Sequence, residues 1–284
     1  MKIGFIGLGT LGKEIVKKLL EGGVEVIVWN RTSQKAQEMG LPMVNSPQEL
    51  IEKVDRVFVI LFDSLASKEV ILGEKGLIKG SLKNKTVIDM TTNHPNYVVE
   101  VAKILENKGA YYLDAPVLGS VIPARKGELT ILVGGNREKF EENRFLFEKY
   151  GKNIFYVGEV GKATKLKLIN NIVLAGFMEI LAEALAIGEL AGLEKSQIIE
   201  ILSAGAGRSA ILEVKKQKLL EEDFSVHFSV DLMYKDLHYV QDLIKELKGC
   251  SLVTSVIKEV YGLARKKGLG EKDFSIVYKV LKDF

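Results

Sequence analysis

The spacing Gly7-x-Gly9-x-x-Gly12 constrains this chain more than any other feature. It follows a short apolar run at 3–6 and opens a helical pattern over 11–21, with a second apolar run at 25–29. In that setting each glycine has its own physical task. Gly7 permits a tight turn, Gly9 lets the backbone approach a pyrophosphate, and Gly12 lets helix and strand pack closely. The free N–H groups at the helix start then bind phosphate. An ordinary glycine turn needs none of this context. The strand–turn–helix setting predicts a dinucleotide site lined by Gly7, Leu8, Gly9, Thr10, Leu11 and Gly12.

The rest of the first half continues the alternation. Candidate strands lie at 3–6, 25–29, 56–61, 86–89, 111–114, 129–133 and 154–157, and many are rich in Val and Ile, as expected of strands buried on both faces. Helical stretches near 11–21, 47–53, 65–72, 95–108 and 137–149 lie between them. This predicts a mainly parallel, doubly wound α/β sheet with helices on both faces. The pattern changes near Gly161. From Lys162 to about Leu193 there is no Pro, and a helix of about 30 residues would run about 45 Å. It is apolar around much of its circumference, which predicts extensive burial. Further helices are expected at about 195–203, 208–220, 230–248, 252–268 and 273–282. The expected division is therefore a Rossmann-type domain, 1–160, and an all-helical domain, 161–284, joined by the long helix.

Composition excludes several function classes. A single Cys, Cys250, rules out an intrachain disulfide framework and multi-cysteine metal sites. The three histidines, His94, His227 and His238, have no metal-ligand spacing, so no metal is expected. A net charge of +3 is too small to imply nucleic-acid binding without a concentrated basic patch. No uninterrupted run reaches about 18 apolar residues, so no membrane span is expected. Lys13 and Glu14 interrupt the apolar start, which argues against a signal peptide. With the lone cysteine, this reads as a cytoplasmic protein.

Four later segments carry candidate chemistry. At the end of the second strand, Trp29-Asn30-Arg31-Thr32 lacks the Asp or Glu that commonly binds the ribose 2′-OH of NAD. Arg31 suits a 2′-phosphate and Asn30 and Thr32 suit hydrogen bonds to it, which favours NADP(H). A turn with an N-cap at Thr32 or Ser33 is the structural alternative. Asp89-Met-Thr-Thr-Asn-His-Pro95 closes a strand where ligands of open α/β sheets sit, or is a strand end with Thr capping the next helix. Asp114-Ala-Pro-Val-Leu-Gly-Ser120 is a simple loop or one that offers N–H groups to a carboxylate. Lys167 and Asn171 are four residues apart and share a helix face. A lysine on a largely buried helix has a lowered pKa and can exchange a proton near neutrality, or it snorkels at the helix end.

Together these segments, with Lys235-Asp236-Leu237, resemble the β-hydroxyacid dehydrogenase family over essentially the whole chain. That family includes 3-hydroxyisobutyrate dehydrogenases and glyoxylate/succinic semialdehyde reductases. The resemblance implies a Rossmann domain plus a helical domain, and an NADP(H)-dependent oxidoreductase acting on a small carboxylate substrate. It implies Lys167 as general acid/base. Thr92, Gly119, Ser120, Asn171, Phe228 and Asp236 would meet the substrate, with Leu118 standing where the family usually has a serine. Leu61, Phe62, Asp63, Thr92 and Lys235 would complete the cofactor site. Gly119-Ser120-x-x-Pro123-Ala124 and Gly268-Leu-Gly-x-x-Asp-Phe-Ser275 favour the glyoxylate or succinic semialdehyde branch. The alternatives are a 3-hydroxyisobutyrate or related 3-hydroxyacid (serine) dehydrogenase and a non-catalytic nucleotide-binding scaffold. The apolar helices, and the family habit, imply a homodimer or homotetramer.

Overall fold

The computed structural model describes residues 2–283. Its N-terminal part is an eight-stranded sheet in the order β2-β1-β3-β4-β5-β7-β6, with β8 on the other edge of β7. The first strands are β1 (Lys2–Ile6), β2 (Glu25–Trp29), β3 (Arg56–Val59), β4 (Thr86–Asp89) and β5 (Tyr111–Asp114). They pair in parallel, Gly4 opposite both Ile27 and Val57. The chain leaves β1 toward β2 and then returns to the other side of β1 for β3. Open sheets bind ligands beyond the strand ends at such a reversal. α1 (Thr10–Glu21) starts there, straight after the glycine turn.

The strands sort their side chains by period two. Ile3 and Phe5 of β1 enter one core with Phe58, Ile88, Leu113, Ile15 and Leu19. Ile6 enters the opposite core with Val57, Val59, Val87 and the helix residues Leu50, Val98 and Leu105. Helices therefore cover both faces, the α/β architecture that the alternation predicts. They include α2 (Gln34–Gln37), α3 (Pro47–Lys53), α4 (Ser64–Leu72) and α5 (Pro95–Glu106).

Two features differ from the sequence reading. The segment taken as a loop holds a short strand, β6 (Val117–Leu118), and a helix, α6 (Val121–Lys126). In addition, β7 (Leu129–Gly135) runs antiparallel to β5 and β6 and parallel to β8 (Gly151–Gly158), with α7 (Arg137–Phe147) between. An apolar run does not encode its direction, so the reversal is not visible in β7 itself.

α8 (Lys162–Leu190) is the long helix. Gly192, with φ +78°, ends it, and Leu193 N–H donates to the Gly188 carbonyl at 3.0 Å. The two compact units divide on this helix, Met1–Lys167 and Leu168–Phe284. The expected boundary at 160 lies seven residues before that division, between β8 and α8.

The second unit is all-helical: α9 (Lys195–Ala204), α10 (Ala210–Glu221), α11 (Val230–Glu246), α12 (Val253–Lys266) and α13 (Val277–Lys282) follow α8. Its core joins Ala175, Met178, Ala182 and Leu185 of α8 to Leu212, Leu219, Met233, Leu237, Tyr261 and Val277.

Burial of α8 is less complete than its composition predicts. Ile169, Val173, Phe177, Ile180 and Ile187 form an exposed stripe at helical spacing. An 18-residue window of it reaches a mean hydropathy of 1.6, so by length and composition alone it would suffice to cross a membrane, although no uninterrupted apolar run is that long. The isolated glutamates break the runs without lowering the average much. In the unit's core the same composition serves as packing surface. Burial pushes the Glu179 carboxyl up, and Glu183 adds to the shift.

Candidate functional site

The glycine turn is shaped by backbone contacts. Gly7 has φ +104°, and a Cβ on it would lie 1.9 Å from the Ile60 carbonyl oxygen. A Cβ on Gly12 would lie 2.0 Å from the Gly7 carbonyl oxygen. Around Gly9 a Cβ would meet nothing within 4 Å, so an open cradle faces the start of α1. Leu8 is buried and Thr10 exposed. Leu8 N–H donates to Asn30 Oδ1 at 2.8 Å, and Asn30 Nδ2 donates to the Thr32 carbonyl at 2.8 Å. Asn30 is thus a brace between the turn and the end of β2, where the sequence suggested a phosphate donor. Arg31 and Thr32 are exposed beside it. Ser33 occupies the N-cap position of α2, but no side chain makes a capping bond there.

The ends of β3 and β4 are tied together. Leu61 N–H donates to Thr91 Oγ1 at 2.9 Å. Asp63 caps α4, its Oδ1 accepting from Ala66 N–H at 2.8 Å, and Phe62 beside it is 48% exposed. Thr92 is half-buried on the strand-end loop. The next helix, α5, is capped by His94, whose Nδ1 accepts from Asn96 N–H, and not by a threonine, the structural alternative that the sequence offered.

Beneath this loop is a polar network that sequence reasoning missed. Asp89 is fully buried and accepts from Thr91 N–H (2.9 Å), Ser67 Oγ (2.8 Å), Asn93 Nδ2 (2.9 Å) and Tyr112 Oη (3.0 Å). Tyr97 Oη donates to Ser67 Oγ at 2.9 Å. Burial pushes the Asp89 carboxyl up, and the bonds from Thr91, Ser67 and Tyr112 oppose that shift. A buried carboxylate holding four donors in this way restricts the conformations open to the groups around it. Here it restricts the loop that carries Thr92.

Asp114 is in register with Asp89 on the neighbouring strand. It was legible only as the first letter of a loop motif, yet it reaches the start of α8. Its Oδ2 accepts from Gly161 N–H (3.1 Å) and Thr164 N–H (2.9 Å), and its Oδ1 from Thr164 Oγ1 (2.7 Å). Burial pushes its carboxyl up to about 6, with Asp89 adding to the rise and the Thr164 bonds opposing it. After β6, Leu118 and Ser120 are half-buried and Gly119 takes φ +109°. Ser120 stands at the N-cap of α6 without a side-chain capping bond.

Lys167 follows on α8 and is 7% exposed. Asn171, one helical turn further, is fully buried, and its Nδ2 donates to Asp236 Oδ2 at 2.6 Å. The Lys235 ammonium lies 3.0 Å from the other oxygen of Asp236. The helical unit therefore gathers Asn171, Lys235 and Asp236. Phe228 is held separately, by a device the sequence reading did not identify. Buried Asp273 accepts from His227 N–H (3.0 Å) and Phe228 N–H (3.2 Å) and pairs with buried Lys215 at 2.6 Å. Burial pushes the Asp273 carboxyl up, but the Lys215 ammonium and the surrounding donors hold it below the usual carboxylate range.

The groups present suit nicotinamide dinucleotide chemistry: an open cradle at Gly9, an exposed guanidinium in place of a ribose-binding carboxylate, and a buried lysine beside a fixed amide. Comparison with known proteins agrees. Residues 2–158 match the profile of the NAD-binding domain of 6-phosphogluconate dehydrogenase. Residues 161–281 match that of the NAD-binding region of NADP-dependent 3-hydroxyisobutyrate dehydrogenase. Glyoxylate/succinic semialdehyde reductase 1 of Arabidopsis thaliana is 32% identical over 99% of both chains. The human cytokine-like nuclear factor N-PAC is 34% identical over 98% of this chain, which spans only 51% of that protein. The structure described as Psf3 in complex with NADP+ and 2-OPP superposes with a TM-score of 0.91 at 26% identity, covering 98% of this chain and 99% of that one. A 3-hydroxyisobutyrate dehydrogenase of Salmonella typhimurium shares the fold, with a TM-score of 0.90 at 22% identity over 99% of both chains. A glycine cradle, a buried lysine–asparagine pair and profile matches along nearly the whole chain make this protein a member of the β-hydroxyacid dehydrogenase family.

Proposed function

We propose that this protein is an NADP(H)-dependent oxidoreductase that reduces a short aldehyde-acid, glyoxylate or succinic semialdehyde, to the hydroxyacid. The observation that carries this reading is Lys167, buried one turn from an asparagine that is itself fixed by Asp236. A nicotinamide bound at this site supplies the hydride. The protein's own part is to hold the reactants and move one proton. Lys167 Nζ gives that proton to the carbonyl oxygen and recovers it from solvent. Asn171 positions the substrate, and Gly119 and Ser120 hold its carboxylate. Gly9, Thr10 and the first N–H groups of α1 receive the pyrophosphate. Arg31 and Thr32 receive the 2′-phosphate, and no carboxylate stands in the Trp29–Thr32 segment to repel it. The full-length likeness to a glyoxylate/succinic semialdehyde reductase supports the substrate class.

Leu118 favours a second substrate. A half-buried apolar side chain where the family usually has a serine suits the branched methyl of 3-hydroxyisobutyrate. A non-catalytic nucleotide-binding scaffold is the third reading. One assay separates the three: initial rates with NADPH, NADH and their oxidised forms against glyoxylate, succinic semialdehyde, 3-hydroxyisobutyrate and serine. Turnover of an aldehyde-acid with NADPH is expected. Fastest turnover of 3-hydroxyisobutyrate shifts the assignment to that branch, and cofactor binding with no turnover leaves the scaffold. In the same assay Arg31→Ala is expected to weaken NADPH about 10- to 100-fold, the worth of one or two charge-assisted hydrogen bonds, and NADH far less. Equal loss for both cofactors contradicts the phosphate contact.

The exposed stripe from Ile169 to Ile187 supports self-association, because an apolar helix face gains free energy by leaving water. A homodimer or homotetramer is proposed. Equilibrium sedimentation at a mass of 31.5 kDa, the single chain, would refute it.

A further inference from the structure

We propose that Asp114 and Thr164 are positioning residues for Lys167: a carboxylate at the end of β5 caps α8 from outside the helix and sets where the lysine is presented. The inference rests on the reading of Lys167 as proton donor.

A helix leaves its first N–H groups without intrahelical partners, and a side chain at the N-cap usually satisfies one of them. Gly161, the residue before α8, has no side chain and takes φ +88°. Asp114 supplies the missing cap across a sequence separation of 47 to 50 residues, binding Gly161 N–H, Thr164 N–H and Thr164 Oγ1 at 2.7–3.1 Å. All the fixed points are buried, Asp114 at 1% exposure, Thr164 at 0% and Lys167 at 7%. The carboxylate cannot drift, since β5 is paired to β4 on one side and β7 on the other. Three bonds to two oxygens define both the height of the helix start and its rotation.

Lys167 is three residues beyond Thr164, about 4.5 Å along the axis. Slack at the cap is therefore passed to the lysine with little loss. A displacement of about 1 Å in a reacting group costs up to about 100-fold in rate. The cap also contributes to stability, so the two roles must be separated by measurement.

The test compares Asp114→Asn, Thr164→Val, Thr164→Ser and Lys167→Ala with wild type, using whichever of glyoxylate, succinic semialdehyde or 3-hydroxyisobutyrate wild type turns over fastest. Each variant is assayed well below its own thermal midpoint. NADPH affinity is read by nicotinamide fluorescence, and the deuterium isotope effect on kcat with the label on the hydride that is transferred: on NADPH where an aldehyde-acid is reduced, on the hydroxyl-bearing carbon where 3-hydroxyisobutyrate is oxidised by NADP+. Asp114→Asn and Thr164→Val are expected to lower kcat about 10- to 100-fold, leave NADPH affinity within about twofold, and raise the isotope effect. Thr164→Ser, which keeps the hydroxyl, is expected to restore kcat to within about threefold of wild type. If Asp114→Asn does not fold, Thr164→Val decides, because it keeps the shape of the side chain. A lowered thermal midpoint with kcat within twofold of wild type in Thr164→Val overturns the positioning role and leaves a cap of stability only. Turnover within tenfold of wild type in Lys167→Ala is a different failure, that of the proton-donor reading beneath it.

Discussion

Lys167→Ala is expected to lower kcat by about 100- to 10,000-fold, the range that a positioned general acid contributes. NADPH affinity is expected to stay within about twofold, because the phosphate contacts assigned to Gly9, Thr10, Arg31 and Thr32 do not involve this side chain. The physical basis is specific. The lysine is 7% exposed, on a helix whose start is fixed by Asp114 and whose next turn is fixed through Asn171 and Asp236. Lys167→Arg keeps the charge and should still fail. A guanidinium does not release its proton at neutral pH, and its planar fork does not fit the space of a tapered ammonium. The measurement is single-turnover reduction with NADPH preloaded, which isolates the chemical step from product release. Turnover within tenfold of wild type in Lys167→Ala would remove the lysine from the mechanism. Restoration of the rate by a small exogenous amine would instead locate the defect in proton transfer.

Most of the fold was legible because local patterns and burial coincide. β2, β4 and β5 appear at the bounds that their apolar runs predict, α3 at the predicted 47–53, and α8 starts where the change of pattern at Gly161 places it. The region 117–126 was not legible. A two-residue strand has no period to read, and Pro123 inside α6 reads as a loop residue. The exposed stripe of α8 was hidden for the opposite reason. With apolar residues on every face, composition cannot say which face is covered.

The candidate site divides in the same way. Gly7, Gly9 and Gly12 are a contiguous motif with fixed spacing, so each could be given a task from sequence. Lys167 and Asn171 were visible because helical spacing is local. Asp89, Asp114 and Asp273 were not, although two of them head motifs that drew attention. Their partners are remote: Ser67 and Tyr112 for Asp89, Thr164 for Asp114, and Lys215 for Asp273, at separations of 22 to 58 residues. Spacing says nothing about such pairs. Asn30 shows the converse, a residue whose chemistry suits a phosphate and whose side chain the fold also uses as a brace.

The three glycines of the turn should respond differently to the same one-carbon change. Gly9→Ala places a methyl in open space, with no protein atom within 4 Å and no positive φ to oppose it. The protein is expected to fold with a thermal midpoint within a few degrees of wild type. Cofactor affinity is nevertheless expected to fall about 10- to 100-fold, because the space is where a pyrophosphate approaches the α1 N–H groups, and one or two charge-assisted bonds are lost. Gly7→Ala meets two obstacles before any ligand arrives: φ +104°, and a carbonyl oxygen 1.9 Å from the new carbon. Gly12→Ala meets one, the Gly7 carbonyl oxygen at 2.0 Å. Backbone atoms cannot rotate aside as a side chain does, so β1, α1 or the residue-60 turn must shift. Both variants are expected to lose about 3 kcal/mol or more of stability, among the larger effects of single substitutions. Urea unfolding of the apoprotein, with NADPH titration of each folded variant, measures the two quantities separately. A Gly9→Ala protein that binds NADPH like wild type would mean that the cradle is not the pyrophosphate site. A Gly12→Ala protein of normal stability would mean that helix and strand have room to separate. Because Gly9 alone is free of internal constraint, its loss reports on the ligand and on nothing else in the fold.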